Sequence, residues 1–213
     1  MKVEFGYGKG VQTVDIPDKN LDQILVANEI EHERRGPDAV VYALENPIGS
    51  PRLKDLVKPG QKICIITSDI SRPIPSFDVI PSILDELYLA GCKKEDIYVV
   101  FALGSHRPHT EEEKKKLVGE RVYSEVRCID SDPSDCIHMG DTSRGTPVDI
   151  TRSVAEADFR IGVGNIEFHY FAGYSGGAKA LMPGVSTPSA IQANHRMMID
   201  EKACAGNLNG NPI

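Results

Sequence analysis

No stretch of this 213-residue sequence approaches the ~20 consecutive apolar residues that a membrane-spanning helix needs. The opening "MKVEFGYGKG" also lacks the basic start and apolar segment of a secretory signal, so a soluble, cytoplasmic protein is expected. Cysteine is sparse and odd in number: Cys64, Cys92, Cys128, Cys136 and Cys204 form no CxxC pair, which fits reduced thiols rather than a disulfide framework. Positive charge is in deficit. With 24 Lys and Arg against 31 Asp and Glu the net charge is -7, which disfavours nucleic acid as a partner, because affinity for phosphate backbones comes from clustered cations. The one dense basic run, Lys114 to Lys116, directly follows three glutamates and reads as a solvated helix face. There is neither an internal repeat nor a low-complexity tract, and the composition, 40% hydrophobic and 26% charged, suits one large globular domain over residues 1–213.

What is there is an alternation of strand and helix signals. "VEFGYGKGVQTVDIP" holds two short alternating runs around a Gly-rich turn, the pattern of an N-terminal β-hairpin. Ile63 to Thr67 is a continuous apolar run suited to a buried parallel strand. Ile80, Ile83, Leu84 and Leu87 then recur at helical spacing before Gly91, which predicts a helix over roughly residues 77–90. "DIYVVFALGSH" reads as a second buried strand, and Thr110 with Glu113 as a capping box opening the next helix. "EVRCI" as a strand, "ITRSVAEA" as a short helix and "DFRIGVGN" as a strand continue the series. After a Gly-rich segment, "STPSAIQANHRMMID" reads as a helix with Ser186 or Thr187 at its N-cap and Pro188 near its first position. The expected fold class is α/β: a mostly parallel sheet flanked by helices, Rossmann-like, with the N-terminal β-hairpin. The ending "AGNLNGNPI" is turn-forming and reads as a cut ahead of a further domain.

In such sheets ligands bind beyond the carboxyl ends of the strands. Three segments fall there: "TSDISRP", "GSHRPHT" and "GNIEFHYFAGYSGGAK". In or just beyond them lie His106, His109, His169 and His195, with Asp69, Arg72, Arg107 and Lys179. Taken singly, a loop histidine is usually a surface or hydrogen-bonded group, and Asp69 with Arg72 reads equally as an ion pair or turn cap. Their agreement on one cleft favours chemistry over chance. Imidazoles there suit proton transfer near neutral pH, arginine suits a small carboxylate, and bare Gly-rich backbone beside Lys179 suits a bulky or phosphorylated cofactor.

Standard motifs fail. "GGAK" lacks the Gly-Lys-Ser/Thr ending of a P-loop, and "GVGNIE" has Glu167 where a dinucleotide fingerprint needs its third glycine. No HExxH is present, "HRPH" spans a proline, and "GYSGG" is not a GxSxG elbow. Lys179 is therefore open to three readings: phosphate clamp, covalent anchor or solvated loop charge. A non-catalytic metal- or nucleotide-binding module, and a zinc-dependent hydrolase using His169 and His195, stand as alternatives to a proton-transfer enzyme.

The segments "SDISRP", "GSHRPHT", "FHYFAGYSGGAKALMPG" and "NHRMM" resemble, in order and over essentially the whole chain, the nickel-pincer-nucleotide lactate racemase family. The stretch from His169 to Gly184 is the most specific of them, with Lys179 ten residues after His169 and His195 sixteen after Lys179. The resemblance implies an isomerase that racemises or epimerises a small 2-hydroxy acid, lactate above all, by reversible hydride transfer to a pyridinium mononucleotide whose two sulfur-bearing arms and a carbon hold nickel. It implies Lys179 as the covalent anchor of that cofactor and His195 as the protein's nickel ligand. His106 and His169 become the acid/base pair, Arg72 a substrate-binding residue with Asp69 nearby, and Gly176 and Gly177 the backbone against the cofactor. Of the two histidines in "HRPH", the resemblance selects His106 over His109. The implied partners are the substrate and the proteins that synthesise the cofactor. A C-terminal domain that closes the cleft in the family is not expected within residues 1–213, which would form the N-terminal cofactor-binding half, doubtfully active alone.

Overall fold

In the computed structural model, which describes residues 1–213, the chain forms two compact units, Met1–Glu33 and Arg34–Ile213. The first holds the expected hairpin: β1 (Lys2–Tyr7) pairs antiparallel with β2 (Gly10–Asp15), Lys2 opposite Asp15 and Tyr7 opposite Gly10. Gly8 takes φ +58 in the two-residue turn, a conformation that side chains disfavour. The amino group of Met1 donates to the Ile16 carbonyl and to Asp18, closing the open end.

In the second unit come α1 (Gly36–Glu45), α2 (Leu53–Leu56), β3 (Ile63–Ser68), α3 (Ser76–Leu89), β4 (Ile97–Ala102), α4 (Glu111–Glu125) and β5 (Arg127–Asp130). There follow β6 (Cys136–Asp141), β7 (Pro147–Thr151), α5 (Arg152–Ala155), β8 (Phe159–Gly162), the short pair β9 (Phe168–His169) and β10 (Gly173–Tyr174), and α6 (Pro188–His195). The central sheet is fully parallel, in the order β5-β4-β3-β8.

Strand β3 explains this order. Ile63, Cys64, Ile65, Ile66 and Thr67 have no exposed surface, so the strand needs a neighbour on each edge and a layer on each face. Because successive side chains point to opposite faces, Ile63 and Ile65 enter one core with Val99 and Phe101 of β4, Ile80 and Leu84 of α3, and Val118 and Val122 of α4. Cys64 and Ile66 enter the other, with Val100, Ile150 of β7, Val154 of α5, Ala180 and Val185. The chain moves sideways from β3 to β4 to β5 with its helices on the first face. It then crosses to the far edge of β3 and covers the second face. Right-handed crossovers require this change of face when the lateral direction reverses.

Local chemistry sets the element boundaries. Gly91, at φ +82, ends the stretch after α3. Thr110 Oγ1 accepts from the Glu113 amide while Glu113 Oε2 accepts from the Thr110 amide, the reciprocal capping box read from the sequence. Thr187 rather than Ser186 caps α6, accepting from the Ala190 amide. One expectation is revised: α6 ends at His195 in a 3-10 turn over Arg196–Ile199 instead of running on. Helix α4 breaks at Gly119 (φ +80, ψ 164), beside Phe77.

Gly184 has no room for a side chain: an added Cβ would meet the Ala180 carbonyl and lie 2.7 Å from the Ala102 Cβ, whereas one at Gly177 would point into open space. Gly184→Ala is therefore expected to destabilise the protein by about 2 kcal/mol, as overpacking does, and Gly177→Ala by much less. Thermal melts of the two variants check this ordering.

Candidate active site

The reversal of lateral direction at β3 leaves a crevice between the carboxyl ends of β3 and β8, where neighbouring connections part to opposite faces. A cavity of about 160 Å³ occupies it, lined among others by Asp69, Arg72, His106, Asn165, Lys179 and His195. The three segments singled out in the sequence do meet there. Behind lies a larger, mainly apolar cavity of about 1070 Å³, which shares Ser175, Gly176, Lys179, Pro183 and His195 with the first. Lys179 and His195 thus stand on the boundary between a polar crevice and an apolar chamber.

Each side chain is placed by its backbone. Beyond β3, the Arg72 amide donates to the Asp69 carbonyl, and Ser71 donates through both its amide and its hydroxyl to the Asp69 carboxylate. In this tight turn Asp69 is buried, and its Oδ2 lies 2.8 Å from Nδ1 of His106. That contact puts a proton on Nδ1 and leaves Nε2 of His106 available to exchange one. His106 stands after β4 in a turn closed by its amide to the Leu103 carbonyl.

Beyond β8, the Val163 amide continues the ladder to the Ile66 carbonyl. Gly162 and Gly164 then allow the Lys179 segment to press against the strand end: a Cβ at Gly162 would lie 3.2 Å from the Gly177 carbonyl oxygen, and one at Gly164 would lie 3.3 Å from Gly176 and Gly177 backbone. The glycines of "GVG" serve this contact. Gly176, at φ +125, starts the 3-10 turn Gly177–Ala180. Ala180 is buried in the second core, which directs its neighbour Lys179 into the crevice.

His195 ends α6 and meets Phe171 edge-on, ring centres 5.1 Å apart. His169 packs against Tyr170 and Phe171, and its Nδ1 accepts from the Ala172 amide, so its neutral form carries the proton on Nε2. It stands at the rim and lines neither cavity.

The cluster is cationic without a paired counter-ion: Arg72 and Lys179 make no ion pair with any carboxylate. Burial, then the Arg72 guanidinium, lowers the Lys179 pKa, only partly opposed by Glu167. Burial, then Lys179, lowers that of His195, overriding the helix C-terminus that favours the cation. Burial, then Lys179, Arg72 and His195, lowers that of His169. These groups are near enough to feel one another, and they favour an uncharged amine, neutral imidazoles and a bound anion.

Two residues leave the candidate set. Arg107 makes a bidentate pair with Glu113, at 2.7 and 2.8 Å, holding that carboxyl down at about 2. His109 is buried and bonded through both ring nitrogens. Asn165 was missed, although it is the first polar residue beyond β8, as Asp69 is beyond β3. No group of three or more His, Cys, Asp and Glu side chains is placed to hold a metal, so the zinc reading, which needs three protein ligands, has no ligand set.

A parallel α/β domain with a cationic, histidine-bearing cleft at its switch point is the class that fold and site define. Residues 7–206 match the lactate racemase N-terminal domain family, and the chain belongs to that family. It is 36% identical over 99% of its length to the lactate racemase of Thermoanaerobacterium thermosaccharolyticum, and 34% identical over 99% to that of Lactiplantibacillus plantarum. The chain spans about half, 51%, of the length of each of these relatives. The solved lactate racemase apoprotein of T. thermosaccharolyticum superposes over the whole chain with a TM-score of 0.81 at 34% identity, covering 51% of that structure. A Thermotoga maritima protein superposes over 86% of this chain and 46% of its own with a TM-score of 0.65 at 19% identity, a likeness of fold alone.

A histidine whose pKa falls on folding binds its proton more weakly in the folded state. Stability is therefore lost as pH drops through the ordinary value of 6.5 toward the lowered one. Replacing both His169 and His195 by Gln is expected to flatten the acid limb of a melting profile between about pH 7 and 5, by less than about 1 kcal/mol given their partial exposure. Lys179→Met, removing a charge the site disfavours, is expected to raise the melting temperature at neutral pH by about 2 °C.

Proposed function

We propose that this chain forms the cofactor-binding part of a cytoplasmic racemase or epimerase of small 2-hydroxy acids, with lactate the first substrate to test. The observation that carries the reading is the convergence of Arg72, Asp69-oriented His106, Lys179 and His195 on one crevice, with His169 at its rim. The residues fit a lysine-anchored nickel pincer nucleotide. Lys179 has a depressed pKa, which favours the free amine that an amide-like link needs. His195 offers one imidazole where no protein ligand set exists, as suits a metal whose remaining donors belong to a cofactor. Gly176 and Gly177 border the chamber with bare backbone, room for a planar ring. When bound, that cofactor supplies the hydride acceptor for the C2 hydrogen of the substrate.

The rest falls to the chain's own side chains. Arg72, free of any protein carboxylate, clamps the carboxylate of the 2-hydroxy acid. His106, its Nδ1–H held by Asp69, takes the hydroxyl proton on Nε2 as the C2 hydride leaves, giving a planar 2-keto acid. His169 would be the second proton carrier, exchanging through Nε2 for the substrate of the opposite hand.

The natural gene product, made together with the proteins that synthesise the cofactor, is expected to convert enantiopure lactate or a related 2-hydroxy acid to a mixture. His106→Gln should lower turnover by about 10²-fold or more while nickel content and a mass adduct on Lys179 persist. Cofactor-loaded protein that leaves every tested 2-hydroxy acid unchanged would overturn the reading. Unchanged function in His106→Gln and His169→Gln would point instead to a binding module.

A further inference from the structure

His109 is far more buried than His106, with 1% of its side chain exposed against 46%. Its ring meets Phe101 of β4 edge-on. Its own amide donates to Asp130 Oδ2 at 3.1 Å, its Nδ1 lies 2.6 Å from Asp130 Oδ1, and its Nε2 accepts from the Ile70 amide at 3.1 Å. A backbone amide can only donate, so Nε2 carries no proton and Nδ1 donates to the carboxylate. Asp130, at the end of β5, is held in turn by Lys114 of α4, 3.6 Å away. One neutral tautomer is thus enforced from both ends of the ring.

Ile70 lies inside the turn that presents Asp69 and Arg72. That turn is tied to the loop after β4 at only two places: through Asp69 and Ser71 to His106, and through the Ile70 amide to His109. On the function proposed above, His106 gains and loses a proton in every cycle, and its bond to Asp69 changes strength each time. A tether made by a buried ring that takes no part in that proton exchange would hold the turn throughout.

We propose that His109 is a positioning residue, locked between Asp130 and the Ile70 amide, which fixes the Asp69–Arg72 turn independently of the protonation of His106. It reaches no cavity and touches no substrate; it acts through Asp69 and Arg72.

Two substitutions separate its two bonds. His109→Gln can still accept from the Ile70 amide, whereas His109→Asn can still donate to Asp130 but is too short to reach Ile70. Hydrogen exchange of the Ile70 amide should be about tenfold faster in the Asn variant, the loss of one hydrogen bond, and near the native rate in the Gln variant. In cofactor-loaded protein the Asn variant should raise KM for the 2-hydroxy acid about tenfold, with kcat less affected and Gln restoring most of the loss. Nitrogen NMR of the native protein should show the neutral His109 ring protonated on Nδ1 and not on Nε2. Protonation on Nε2, or equal Ile70 exchange in the two variants, would overturn the proposal. If neither variant folds, the native tautomer decides it. The exchange and NMR readouts need no turnover, so they stand or fall apart from the racemase reading.

Discussion

The structure depends on one constraint: β3 is apolar on both faces and cannot be an edge. Burying Ile63 through Thr67 completely requires β4 on one side, β8 on the other and a packed layer above and below. A chain that meets this demand must reverse its lateral direction once, and the reversal opens a crevice at the strand ends. The site is a geometric by-product of covering one strand. The same alternation that sends Ile66 into the second core buries Ala180 against it, which leaves Lys179 with nowhere to go but the crevice.

What could be read from the sequence was what local physics decides. The buried strands announced themselves as unbroken apolar runs, α3 by its spacing, α4 and α6 by their caps. The hairpin of β6 and β7 was not legible. "CIHMGD" is mostly half-exposed, carries no clean alternation and breaks register between His138 and Asp141. Helix α1 was not singled out either, and none of its residues is buried. In the site, the sequence marked which segments converge, but not which members of a segment face inward. Arg107 and His109 sit in the same heptapeptide as His106, yet one turns to Glu113 and the other into the core. Three-dimensional partners made that difference, and Asp130, far along the chain, carries no local signal.

The electrostatics of the cleft are unusual for a surface this acidic. A protein with a net charge of -7 has gathered Arg72, Lys179, His169 and His195 at one point and placed no carboxylate against the first two. Burial and neighbouring cations lower the pKa of Lys179, His169 and His195, so their charged forms are disfavoured in the folded protein. Sites built for ligands commonly carry such a penalty. An anion entering the crevice would relieve it. Asp69, in the same crevice, spends its hydrogen bonds on Ser71 and His106 and pairs with neither Arg72 nor Lys179.

The seam between Gly162 and Gly164 on one side and Gly176 and Gly177 on the other has a further meaning for variation. Backbone lies against backbone there at van der Waals distance, so no residue change can insert volume between strand end and lysine turn without parting them. Ile166, Phe168 and Tyr170, in the segment that follows Gly164, carry exposed side chains instead. Sequence drift therefore has one rigid seam to respect, while these exposed side chains can change without parting it.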